Sequence, residues 1–263
     1  MTVSSRKRWK DLYAEKNPFK LPQAVSSRLK NCIDQHGNAQ PASLKYVWLY
    51  MHEEDLFLDK EHARSNRMLN LEEWLNVVDE SAALGADTLV VSAGISPERR
   101  AQLWDVCRWA QDVYGMSVAI HIYRHLLADS EIRATRELDQ QRTHLLIGPA
   151  LTDQMILLKD SGIDFHPLRR QEKHAVHPPC NLPKVMTCVG TTGYLYTCGL
   201  VLGNEEYRLG HAVQDRLDHV MRDESLPHVI PQGLIKANRG CDGCPPLVLR
   251  QLRKAKETAD RSY

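Results

Sequence analysis

Four thiols in the last third of the chain have the types and spacing of a metal site. Cys180 and Cys198 are separated by seventeen residues, one of them Gly193, and Cys241 and Cys244 follow as Cys-Asp-Gly-Cys before Pro245-Pro246. Thiolates from two separated segments can converge on one ion, and such soft donors favour zinc or an iron–sulfur cluster over hard cations. Spacing alone leaves zinc and iron–sulfur equally open. The other three of the seven cysteines read differently. Cys188 falls in an apolar strand and Cys107 on the apolar face of a helix, both core positions, and Cys32 is a lone thiol.

A second group of residues could carry acid–base or metal chemistry. His52, Glu53, Glu54 and Asp55 follow the first expected strand. His121, Arg124 and His125 end the third, and His166 ends the fifth. In a parallel sheet these strand ends face the binding crevice, where histidines and carboxylates can hold a divalent ion or move protons. The plainer reading is solvated loop acids and structural histidines. His174 and His177, beside Cys180, read the same way, and the basic stretch with Arg250, Arg253, Lys254 and Lys256 reads as a solvated helix face.

The elements that must position these groups follow from periodicity. Residues 1–44 are polar and broken by Pro18, Pro22 and Pro41, an N-terminal extension. Strands are expected at Tyr46–Met51, Thr88–Ser92, Ser117–Ile122, Leu145–Ile147 and Ile163–His166. Between them lie four helices: from a capping box at Asn70 and Glu73 to Gly85, Pro97 to Tyr114, Asp129 to Gln141, and Thr152–Asp160. Strand–helix alternation points to a parallel α/β sheet. Five strands fall short of an eightfold barrel, so residues 45–170 read as a partial (βα) barrel or an open parallel sheet. Residues 171–263 begin with a charged linker. They continue as a hairpin, Val185–Val189 and Tyr194–Cys198 around Thr191-Thr192-Gly193, then a helix near Ala212–Asp223 and a C-terminal helix.

Composition excludes several classes. Lys and Arg total 34 and Asp and Glu 33 in 263 residues. Such balance gives no reason to expect nucleic acid or an anionic membrane as partner. The basic start has no apolar run behind it, and no stretch approaches the roughly 18 apolar residues that cross a bilayer, so a soluble, cytoplasmic chain is expected.

With these residues in place, the chain resembles a radical S-adenosylmethionine (radical SAM) protein with a C-terminal twitch or SPASM-type iron–sulfur domain. Cys180-x12-Gly193-x4-Cys198, the strand Tyr194-Leu195-Tyr196-Thr197-Cys198, the segment Gly203 to Gly210 and the returning Cys241-x2-Cys244 are similar to that domain. More weakly, Leu69 to Trp74 and Glu80 to Ala86 resemble the first barrel helix of the family. The resemblance runs from about Lys45 to Pro246 and looks most like the small twitch-bearing dehydrogenases of aminocyclitol biosynthesis. It implies a [4Fe–4S] cluster on Cys180, Cys198, Cys241 and Cys244, with zinc as the alternative.

The resemblance breaks where the family holds its catalytic cluster in Cys-x3-Cys-x2-Cys. That place reads Met51 to Asp59, and no cysteine lies between Cys32 and Cys107. Ala93-Gly94-Ile95-Ser96 replaces the segment that binds the cofactor's ammonium. S-adenosylmethionine binding and cleavage are therefore not expected. The implied function is an electron-transfer or accessory subunit that works with a protein partner: a radical SAM enzyme, an electron carrier or a substrate protein. Two alternatives are an enzyme with a redesigned barrel site around His52, Glu53, His121 and His166, and a structural zinc scaffold.

Overall fold

The computed structural model describes residues 44–51, 67–94, 97–122, 127–148, 151–168, 180, 182–237, 244 and 249. Its first half alternates strand and helix: β1 (Tyr46–Met51), α1 (Leu71–Ala83), β2 (Thr88–Ala93), α2 (Pro97–Tyr114), β3 (Ser117–Ile122), α3 (Asp129–Glu137), β4 (Thr143–Ile147), α4 (Thr152–Asp160) and β5 (Phe165–Pro167). These five strands pair in parallel and in sequence order. Every crossover therefore steps the same way. Right-handed crossovers then put all four helices on one face of the sheet.

Side-chain alternation sorts the strands into two layers. Val47, Leu49, Met51, Leu89, Val91, Ile120 and Ile147 join Trp74, Val78, Val106 and Leu158 of the helices in the main core. Tyr46, Trp48, Val90, Ala119 and Leu146 point the other way, into a second cluster with Leu168, Leu202 and Leu249. The face without the four helices is thus lined in part by residues of the chain's own C-terminal third.

The Thr191-Thr192-Gly193 hairpin forms, and it is built onto the same sheet. β6 (Met186–Val189) lies parallel to β1, with Trp48 opposite Cys188. β7 (Tyr194–Tyr196) returns antiparallel to β6, and β8 (Arg208–His211) adds antiparallel to β7. The eight-stranded order is β5-β4-β3-β2-β1-β6-β7-β8. Gly193 takes φ +94°, the left-handed region that the turn requires.

Several expectations shift. The helix expected to run to Gln141 stops at Glu137, where Leu138 is extended and the Gln140 amide caps the carbonyls of Thr135 and Leu138. The helix expected from Ala212 begins only at Leu217, as α5 (Leu217–Arg222), because Asp215 accepts the His211 backbone N–H and closes a turn there. A further short helix, α6, covers Gln232–Ala237. β4 begins two residues earlier than expected and so includes His144. Residues 1–43 of the expected extension, and the expected C-terminal helix apart from Leu249, lie outside the described residues.

One buried carboxylate ties α1 to α2. Asp79 is 1% exposed, and its Oδ1 accepts from Trp109 Nε1 at 2.7 Å and from the Tyr114 hydroxyl at 2.8 Å. Burial raises the Asp79 carboxyl above its usual value, against the pull of these two donors, and pushes the Tyr114 phenol well up, so it stays a donor. A carboxyl raised by folding binds its proton more tightly in the folded chain. Stability is therefore lost as pH rises from the ordinary aspartate value, about 4, through the raised one. Asp79→Asn keeps the acceptor and removes the charge. Chemical denaturation across pH should show a flatter stability curve for this variant over that window, and a parent-like slope would contradict the assignment.

Candidate functional site

The two histidines expected at strand ends fall on one row. Tyr50, Ser92, His121, Leu146 and His166 lie side by side across β1 to β5, near the carboxyl ends and on the face opposite the four helices. Trp48 lies two residues back from Tyr50 on the same face. Its indole Nε1 donates to Ser92 Oγ at 2.9 Å, and Ser92 Oγ is 2.9 Å from His121 Nδ1. Ser92 is fully buried. An indole N–H can only donate, so Ser92 accepts it. A buried hydroxyl must then place its own proton, and His121 Nδ1 is the acceptor at hand. That arrangement leaves the proton of the neutral His121 ring on Nε2.

His144, on the same face of β4, meets His166 with ring centroids 5.8 Å apart. Burial pulls the His166 imidazole below its ordinary pKa, and the nearby Asp164 charge opposes this. Trp48, Ser92 and His144 were not singled out from sequence, though period-2 alternation places the first two with Tyr50 and His121. His144 lay just outside the expected strand.

The cysteine segments are drawn together by backbone. Cys180 pairs in both directions with Ile230, N–H to O at 3.1 and 3.3 Å. Thr197 donates its N–H to Tyr207 O at 3.2 Å and its hydroxyl to Pro227 O at 2.7 Å, which fixes Cys198 beside the same stretch. Both thiols are half-buried and pack on one small apolar cluster of Val201, Tyr207, Ile230 and Ile235. Cys244 is half-buried as well. Among the described residues no three His, Cys, Asp or Glu side chains already form a cage for an ion. Cys241 lies outside them. Cys180 and Cys198 carry the donor type that a thiolate-held metal needs, and their side chains pack on the same apolar patch. Cys107 and Cys188 are fully buried, as expected of core residues. Burial drives the Cys107 thiol far above its usual range, as in an apolar core.

Cys198 touches both worlds. Besides its own small cluster it packs against the second sheet face with Tyr50. The next residue, Gly199, lies on the Trp48 ring so closely that a Cβ there would come within 2.6 Å of it. One indole thus contacts the cysteine-bearing turn with its six-membered ring and the Ser92–His121 pair with its N–H.

A histidine outside the sequence candidates is structural. His211 donates from Nε2 to Thr192 O at 3.0 Å, while its Nδ1 accepts the Val213 N–H, locking the hairpin turn to β8. His52, Glu53, Glu54, Asp55, Arg124, His125, His174, His177 and Cys32 lie outside the described residues.

No family model and no curated protein matches the chain. Among solved structures, Streptococcus suis SuiB bound to S-adenosylmethionine is similar at 10% identity and TM-score 0.46, over 74% of this chain and 66% of that one. A crystal structure of BtrN in an open conformation is similar at 10% identity and TM-score 0.48, over 79% and 88%. A second SuiB structure gives 9% and 0.46, over 74% and 68%. The chain thus spans about two thirds of the SuiB chains it matches. At these values the likeness carries no assignment of chemistry, and the fold rests on the chain's own strand pairing.

The Gly199–Trp48 contact is testable by a double-mutant cycle. Gly199→Ala should destabilise the chain by roughly 1–3 kcal/mol, the usual cost of overpacking a filled site. Trp48→Phe removes the ring atoms that clash, so Gly199→Ala should cost clearly less in that background. Denaturant unfolding of the four proteins measures this, and strictly additive effects would refute the contact.

Proposed function

We propose that this chain is a radical SAM-like, [4Fe–4S]-binding protein that no longer cleaves S-adenosylmethionine and serves as an electron-transfer or accessory subunit of a maturation or biosynthetic complex. The observation that carries the reading is the meeting of Cys180 and Cys198 on one apolar patch that adjoins the second sheet face through Gly199 and Trp48. Cys241 and Cys244 complete the set in this reading. Four thiolates saturate a cubane cluster, which then has no open iron for substrate chemistry. Such a centre exchanges electrons or braces the fold. In this reading the partner that exchanges electrons with the cluster is a radical SAM enzyme, an electron carrier or a substrate protein. The sequence between Tyr50 and Cys107 supplies no thiolate for a second, cofactor-binding cluster.

A second reading has its own observation. The Trp48–Ser92–His121 chain presents an oriented imidazole on a parallel-sheet face. An enzyme using that imidazole as a general acid or base would need the same arrangement.

Anaerobic purification separates these readings. The native chain should carry about four iron atoms with matching sulfide. Cys180→Ser and Cys198→Ser should each lose most of that iron, along with thermal stability, because metal binding and local folding are coupled. The reduced protein should form no 5′-deoxyadenosine from S-adenosylmethionine above background. Stoichiometric zinc without sulfide would replace this reading with a structural zinc scaffold. Deoxyadenosine formed in proportion to protein would restore cofactor chemistry.

A further inference from the structure

We propose that His144 and His166 form a second metal site, one for a borderline divalent ion of the zinc, nickel or cobalt class. It is built from imidazole alone and is independent of the cysteine centre. The two rings sit on adjacent strands at the edge of the sheet. His166 pairs in register with Leu146, so His144 is its diagonal neighbour two residues back on β4, and both project from the same face. Their ring centroids lie 5.8 Å apart at an interplanar angle of 40°. An ion about 2.0–2.1 Å from one nitrogen of each ring stands about 3.2 Å from each ring centre, which puts the centres about 5.2 Å apart at a tetrahedral angle.

The surroundings favour this use. Both imidazoles are partly exposed, so an ion can reach them. The Asp164 carboxylate supplies negative charge nearby. Imidazole nitrogen suits zinc, nickel and copper, whereas magnesium and calcium prefer oxygen. Two protein ligands leave coordination positions for water or for a substrate oxygen. An ion held there can polarise that oxygen on the same face as His121.

Cobalt(II) titration of the full-length protein under anaerobic conditions tests the site, because thiolate-bound cobalt shows an intense sulfur-to-metal band that imidazole-bound cobalt lacks. We expect one cobalt equivalent without that band. It should compete with zinc, persist in Cys180→Ser, and weaken about tenfold or more in both His144→Gln and His166→Gln. Circular dichroism of each variant controls for folding, and Asp164→Asn tests the supporting charge with both ligands intact. Wild-type cobalt binding in folded His144→Gln and His166→Gln would overturn the proposal. So would finding that every bound equivalent carries the thiolate band. Loss of the thiolate band alone, in Cys180→Ser, reports on the cysteine centre and leaves the histidine result separately readable.

Discussion

The parallel pairing of β6 with β1 is the constraint on which the arrangement of the candidate site depends. It converts a C-terminal hairpin into a continuation of the main sheet and sets Trp48 opposite Cys188. From that register the chain emerges from β7 at Thr197, whose two bonds to Tyr207 and Pro227 leave Cys198 little freedom. Gly199 then meets the Trp48 ring at a separation that no side chain would permit. Were β6 to pair elsewhere, the cysteine turn and the histidine row would have no common wall.

That wall is a single indole, and its two ends do different physical work. The ring supplies apolar contact area to the Cys198 turn, and the N–H satisfies a buried serine hydroxyl that in turn orients His121. A buried polar chain of this kind is stable only when every member is paired, so the packing of the cysteine turn and the tautomer of His121 are linked through one side chain. The opposite face of the sheet contributes mainly rigidity. Its apolar layer under four helices, tied by Asp79 between α1 and α2, holds the strand ends in register.

Much of this was legible in the sequence because it is local. Alternation gave β1, β2 and β3 close to their observed bounds, the Asn70–Glu73 capping box set the start of α1, and Gly193 marked the hairpin turn. His121 and His166 could be placed on strand ends from the same alternation. What stayed hidden is non-local or depends on side-chain competition. No pattern announces that β6 lies beside β1, since parallel partners are chosen by crossover geometry over more than a hundred residues. The Trp48–Ser92 bond spans 44 positions and leaves no periodic trace. α3 and α5 are shorter than expected because Gln140 and Asp215 satisfy backbone groups that a longer helix would have used. His144 was missed because a polar residue at a strand start weakens the apolar signal that marks the strand.

The central claim is that Cys180, Cys198, Cys241 and Cys244 converge on one iron–sulfur cluster beside the Trp48 wall. X-ray absorption at the iron and zinc edges of the anaerobically purified, native full-length protein addresses it most directly. The account predicts iron in an all-sulfur first shell with iron neighbours in the second. A zinc edge with four sulfur ligands and no iron, or iron ligated mainly by nitrogen and oxygen, would contradict it.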